Sequence, residues 1–340
     1  MSAPRPSPQV SILLPFYNAR DTLAECLQSI LAQSLQDFEI IAVNDFSTDD
    51  SVAVLQTCND SRIRLVDSSH RGIVAALNTG LRHCRSDYVA RMDADDIMHK
   101  DRLRRQLEHL RNNPGLTLSA TQAQKFPEEH IRAGYIEYMR WQNACLTPQD
   151  IRRQIYIESP FAHPSVMFRR RRVLERGGYK DGDFPEDYEL WLRLFAAGER
   201  MEKLPEVLLY WRESDKRLSR VSPRYSLVAF EQLRAQYLAI DPRLKGRDIV
   251  FWGAGRKTRK RAAYLIRQGV EPHAWIDIDP KKIGNVYENA ETYGPEWLLE
   301  QKSAKPFVLN YVRNHGAREY CRAFLDKAGY VMGEDYLDVA

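Results

Sequence analysis

Cysteine is sparse and unpatterned in this chain: Cys26, Cys58, Cys84, Cys145 and Cys321, an odd number at wide spacing with no CxxC pair. That excludes a disulfide framework and a zinc site built on paired cysteines, and it predicts reduced thiols in a cytoplasmic setting. No apolar run approaches the ~20 residues that a spanning helix needs, and the N-terminus lacks the apolar core of a secretory leader. Neither sign of charge dominates, since 50 basic residues face 46 acidic ones for a net charge of +4. Nucleic acid is therefore not an expected partner. No Ser/His/Asp or Cys/His constellation points to a covalent nucleophile.

What is present is ordinary globular material. The 340 residues are 44% hydrophobic and 28% charged, enough for two domains with cores of their own. Residues 1–8 read as a disordered Pro- and Ser-rich tail. From residue 9, strand patterns alternate with helical ones. Strands are expected at Val10–Pro15, Phe38–Val43, Ile63–Val66 and Tyr88–Met92. Helices are expected at Asp21–Gln33, with Asp21 as N-cap, and near Asp50–Cys58 and Gly72–Cys84. This alternation predicts a doubly wound, mostly parallel α/β sheet whose ligands sit beyond the carboxyl ends of the strands. Residues of about 100–220 read as helix mixed with irregular segments, and Asp241–Gly246 as a linker. Past it a strand (248–252), the turn Gly253-Ala254-Gly255 and a basic helix restart the pattern, giving a small Rossmann-like domain at 247–340 after a larger one at 9–240. Its fingerprint is partial, because Thr258 stands where the third glycine belongs, although Asp277 lies near the spacing of a ribose contact.

The most informative stretch is Asp93-Ala94-Asp95-Asp96, at the end of the fourth expected strand. Like charges repel, and folding alone gives no reason to gather them there. A hard divalent cation such as Mn²⁺ or Mg²⁺ does, because it takes oxygen ligands. The plain alternative is a solvated turn that caps the next helix. Two further segments reach the same edge: Pro15-Phe16-Tyr17-Asn18 after the first strand and Asn44-Asp45 after the second.

Taken in order, Pro15-Phe16-Tyr17-Asn18, Asn44-Asp45-Phe46-Ser47 and Asp93-Ala94-Asp95-Asp96, with Glu186-Asp187 further on, make residues of about 9–220 resemble the family 2 inverting glycosyltransferases. The resemblance implies the GT-A fold, a nucleotide-diphosphate sugar as donor and a divalent cation. It also implies site roles. Pro15 and Tyr17 would line the nucleobase pocket, and Asp45 would hydrogen-bond the base. Asp93 would contact the ribose or the metal shell, Asp95 would ligate the metal, and Asp187 would be the general base. The acceptor would be a glycan or a lipid-linked glycan of the bacterial surface, with the basic clusters Arg169–Arg172 and Arg256–Arg261 as a peripheral contact for an anionic membrane.

The chain departs from the family twice. Asn44 stands where relatives often carry a second Asp. The segment 210–220 holds no His, so a lid contact would fall to Arg212, Lys216, Arg217 or Arg220. Plainer roles compete for single residues. Glu186 and Asp187 suit a helix N-terminus on dipole grounds, His163 suits a packed loop, and Trp191 suits the core. Two other functions compete with glycosyl transfer: a nicotinamide-dependent oxidoreductase run by the C-terminal domain, and a sugar-nucleotide binder without catalysis.

Overall fold

The run Val10–Phe16 forms β1 and is buried throughout its length, as a strand covered on both faces of a parallel sheet must be. It pairs in parallel with β2 (Phe38–Asn44) on one side and with β4 (Tyr88–Arg91) on the other, and β2 pairs in parallel with β3 (Ile63–Asp67). The remaining strands are β5 (Ile97–Met98), β6 (Leu116–Phe126), β7 (Met167–Arg169) and β8 (Arg200–Arg212), and the sheet runs β3-β2-β1-β4-β7-β6-β8-β5. Only β7 and β5 pair antiparallel to their neighbours. This computed structural model describes residues 7–131, 133–214, 217–301, 305–314 and 316–339.

The helices follow their apolar spacing. Helix Leu23–Leu31 buries Leu23, Cys26, Leu27 and Ile30, an i, i+3, i+4, i+7 stripe. The residue before it is Thr22, so Asp21 is not its cap; the Asp21 carboxylate takes Arg20 Nε at 3.3 Å instead. Residues 1–6 of the expected tail lie outside the described residues. The tail ends sooner than expected, because Pro8 is buried and Ser86 Oγ bonds the Gln9 carbonyl at 2.7 Å.

The middle region holds two long strands, β6 and β8, where irregular segments were expected. Polar side chains masked β6. Thr117 and Ser119 are fully buried, and their hydroxyls bond Glu199 at 2.5 Å and His109 at 2.9 Å. Those partners are remote in sequence or lie on another element, so local patterning gives no hint of them.

The chain divides into two units. The first runs to Pro148 and takes in Pro160–Gly182 and Glu186–Ser222. The second comprises Gln149–Ser159, Asp183–Pro185 and everything from Pro223. Helix Leu227–Ala239, expected in the N-terminal domain, thus belongs to the second unit. There Glu231 pairs with Arg261 at 2.9 Å, and Arg234 Nη1 bonds the carbonyls of Tyr156, Ile157 and Val339. Asp241 is no linker residue either: it is buried, pairs with Arg243 at 2.6 Å and accepts the Tyr156 hydroxyl at 2.9 Å.

The second unit has its own sheet, made of β9 (Ile249–Trp252), β10 (Ala274–Ile276), β11 (Val286–Tyr287), β12 (Ala290–Tyr293), β13 (Phe307–Asn310) and β14 (Tyr336–Asp338), in the order β11-β12-β10-β9-β13-β14. It is parallel except for the edge pair β11/β12. Here Gly253 has φ +112°, and a Cβ on it would come within 2.9 Å of Thr258 Cγ2. The tight turn therefore requires glycine, and Thr258 packs where a third glycine was missing.

Candidate active site

Register brings the expected segments to one edge of the first sheet. Phe16 is level with Asn44, and Asn44 with Asp67. After β1, Tyr17 is 59% exposed while Pro15 is buried within the strand. After β2, the Asp45 carboxylate accepts the Gly72 amide at 2.8 and 3.1 Å. Burial raises the Asp45 carboxyl from its ordinary value, against that amide and Arg71. Gly72 sits at φ +114° at the start of helix Ile73–His83. Asn44 has a structural use: its Nδ2 donates to Asp67 at 3.1 Å and its Oδ1 accepts the Ser47 amide at 2.9 Å. An aspartate there would face a second carboxylate.

After β4, ligand atoms of Asp93, Asp95 and Asp96 lie within 4.8 Å of one another. The backbone of this turn is pinned. Cys26 Sγ bonds the Asp93 carbonyl at 3.2 Å, Thr22 Oγ1 the Ala94 carbonyl at 3.1 Å, and Arg212 Nε the Asp95 carbonyl at 2.6 Å. The Arg212 amide reaches Asp96 Oδ1 at 2.8 Å, and its guanidinium pairs with Glu25. Asp96 is 1% exposed, yet its Oδ2 has no hydrogen-bond partner, a deficit of ~1–3 kcal/mol for a buried polar group. Burial first, then the charge of Asp93, pushes the Asp95 carboxyl up to about 6. Burial and the charges of Asp95 and Asp93 hold Asp96 well above the carboxylate range. Three crowded oxygen ligands, one of them orphaned, fit a hard divalent cation.

Asp187 lies in the first turn of helix Glu186–Ala196, partly exposed, beside the buried Glu186. Its Oδ1 accepts the Tyr188 amide at 2.7 Å. Burial, and next the charge of Glu186, raise its carboxyl to about 7, opposed by the Tyr188 amide and by Arg91. The helix terminus alone would favour the ionised form, so crowding and desolvation outweigh the dipole. His163 packs close by. Its Nε2 lies 3.0 Å from the Tyr179 hydroxyl and its Nδ1 3.9 Å from Glu186, and burial followed by Arg91 keeps it far below its usual value, hence neutral. Trp191 is a core residue with no exposure.

Two contributors escaped the sequence analysis. Arg91 is buried at the end of β4 with Nη1 2.5 Å from Asp93 Oδ2. Asn78 clamps the loop that precedes Asp187, donating to the Tyr179 carbonyl at 2.8 Å and accepting the Tyr179 amide at 3.0 Å. The only local signal for Arg91 was an arginine inside an otherwise apolar strand. Of the expected lid cations, Lys216 lies outside the described residues. Arg217 and Arg220 join Lys125 around the buried Glu213, at 3.4 and 2.5 Å for the arginines. Burial, then Arg217, lowers the Lys125 ammonium to about 8.

The basic clusters differ in use. Arg169 and Arg170 bond backbone carbonyls of Leu110, Leu116 and Leu81, while Arg171 and Arg172 pair with Glu175 and Glu199. On helix Arg256–Ile266, Arg259 stacks on Tyr287 and Arg261 pairs with Glu231, leaving Arg256, Lys257 and Lys260 exposed. Asp277 is buried and spends its carboxylate on the Ala254 amide at 2.8 Å, the Asp279 amide at 3.0 Å and Lys282 at 3.1 Å.

Similarity to known proteins agrees with this geometry. The sequence profile "Glycosyl transferase family 2" matches residues 11–178. The amylovoran biosynthesis glycosyltransferase AmsE of Erwinia amylovora is 32% identical over 204 residues, 58% of this chain and 74% of that protein. The UDP-Gal:alpha-D-GlcNAc-diphosphoundecaprenol beta-1,3-galactosyltransferase of Escherichia coli is 28% identical over 243 residues, 68% of this chain and 83% of its own. Among solved structures, S. aureus TarS 1-349 in complex with UDP-GlcNAc shares the fold with a TM-score of 0.54 at 15% identity, over 76% of this chain and 79% of that one.

Proposed function

The chain belongs to glycosyl transferase family 2, and from that membership we propose that it moves a sugar from a nucleotide-diphosphate sugar to an acceptor hydroxyl, with inversion at the anomeric carbon and with a divalent cation, Mn²⁺ or Mg²⁺. The observation that carries the cation is the Asp93, Asp95 and Asp96 cluster with its orphaned Asp96 oxygen. Asp95 and Asp96 hold the ion, and Asp93 completes the set. Bound there, the cation supplies Lewis-acid stabilisation of the negative charge that gathers on the leaving diphosphate.

Pro15, Tyr17 and Asp45 receive the nucleobase, Pro15 from within β1 and Tyr17 and Asp45 from beyond the ends of β1 and β2. Asp187 accepts the proton of the attacking acceptor hydroxyl, and its ionisation near pH 7 suits that task. The base and the diphosphate ligands are different carboxylates on different elements. Direct displacement from the face opposite the leaving group then needs no covalent intermediate, the logic that also governs inverting glycosidases.

The acceptor is a glycan of bacterial surface polysaccharide, free or lipid-linked, as the names of the relatives suggest. No helix among the described residues is long and apolar enough to cross a membrane, so a lipid-linked acceptor is met from the surface. Of the two basic clusters, the exposed face with Arg256, Lys257 and Lys260 is the one offered to anionic lipid, since the exposed Arg171 and Arg172 have Glu175 and Glu199 beside them. The second unit is Rossmann-like in its strand order. Asp277, the residue that would bind a ribose, serves the chain's own turn instead, which weighs against a nicotinamide enzyme.

The test is donor turnover across UDP-, GDP- and dTDP-sugars, with and without Mn²⁺, in wild type and Asp95→Asn, with product anomers read by NMR. Wild-type turnover that needs Mn²⁺ and inverts, lost in a folded Asp95→Asn variant, is expected. Full turnover in that variant or in chelator would refute the cation assignment.

A further inference from the structure

Two arginines are buried behind the carboxylate cluster, and they differ in how they are satisfied. Arg102 has no exposure, and the scaffold accounts for it. Its Nε bonds Gln106 at 2.9 Å, and its Nη2 bonds the carbonyls of Arg91 and Val166 at 2.9 and 3.2 Å. Arg91 is 3% exposed. Its Nη1 is spent on an ion pair with Asp93 Oδ2 at 2.5 Å, while its Nε has no hydrogen-bond partner. A buried cation is costly even when paired, and fold stability alone would favour a neutral side chain here.

What Arg91 does reach is the cation cluster, where its Nη1 holds Asp93 Oδ2 at 2.5 Å. We propose that Arg91 is a positioning residue: its buried guanidinium fixes the Asp93 carboxylate at the cation cluster. The inference rests on reading Asp93–Asp96 as the cation site.

One consequence follows. A side chain that orients a metal ligand typically governs 10–100-fold of metal affinity.

The experiment uses the full chain as wild type, Arg91→Met and Arg91→Lys. Mn²⁺ binding is followed by titration calorimetry without donor, and folding by thermal melts. Arg91→Met is expected to weaken Mn²⁺ binding about 10–100-fold. Arg91→Lys keeps a cation but loses the planar fork, so Mn²⁺ binding weakens in it as well while the melt stays near wild type. Wild-type Mn²⁺ affinity in Arg91→Met overturns the proposal. If that variant does not fold, wild-type Mn²⁺ affinity in Arg91→Lys overturns it. Failure of the underlying reading looks different: wild type itself then binds no Mn²⁺.

Discussion

Replacing Asp187 by Asn tests catalysis and electrostatics in one variant. The amide keeps the shape of the carboxylate but cannot take a proton at neutral pH. Turnover should fall ~10²–10⁴-fold, the usual worth of a general base, while donor affinity holds. Stability should move the other way. In the folded protein the Asp187 carboxyl is raised from the ordinary 3.8 to about 7, so the folded state binds this proton more tightly than the unfolded chain does. Well below pH 4 both states are protonated and the residue costs nothing. As pH rises from about 3 to 7 the unfolded chain ionises first, and the native state loses stability relative to it. Three units at ~1.36 kcal/mol each set a ceiling of ~4 kcal/mol, reduced because the group is partly exposed. The Asn variant should therefore melt several degrees above wild type at pH 8 and level with it near about pH 3. Transfer assays, donor calorimetry and melts at both pH values decide it. A stabilisation that is the same at both pH values refutes the electrostatic argument. Turnover within tenfold of wild type places the base elsewhere.

Asn44→Asp should set a carboxylate against Asp67 across β2 and β3, lowering stability at pH 7 by ~0.5–1 kcal/mol and recovering near pH 4; a urea titration at the two pH values measures it. Sedimentation with anionic vesicles at low salt should show binding that disappears at high salt and in a variant with Arg256, Lys257 and Lys260 changed to Gln. The same changes at Arg171 should leave vesicle binding unaltered, because that residue is already paired with Glu175.

The parallel half of the first sheet was legible because its strands are apolar on both faces, and the Asp93–Asp96 turn was legible because its charges sit where no core would place them. Strands β6 and β8 were not. Their buried hydroxyls and charges are satisfied by distant partners, such as Glu199 for Thr117, and a sequence carries no mark of a partner 82 residues away. Arg91 was hidden for a related reason: it reads as part of a motif, and only its burial beside Asp93 sets it apart. The run Arg169–Arg172 splits in a way four adjacent charges do not announce: Arg169 and Arg170 turn to backbone carbonyls, while Arg171 and Arg172 stay at the surface beside Glu175 and Glu199.

The clamp between Asn78 and Tyr179 spans 101 residues of chain. Every group assigned to the donor and the cation lies within the first 98 residues of the chain, through the end of β5. On a ribosome these emerge and can pair long before the loop that Asn78 must grip has been made. The helix that carries Asp187 follows later still. On the proposed assignment, a nascent chain that stops short of Glu186 carries the donor and cation residues but not the base that would discharge a donor.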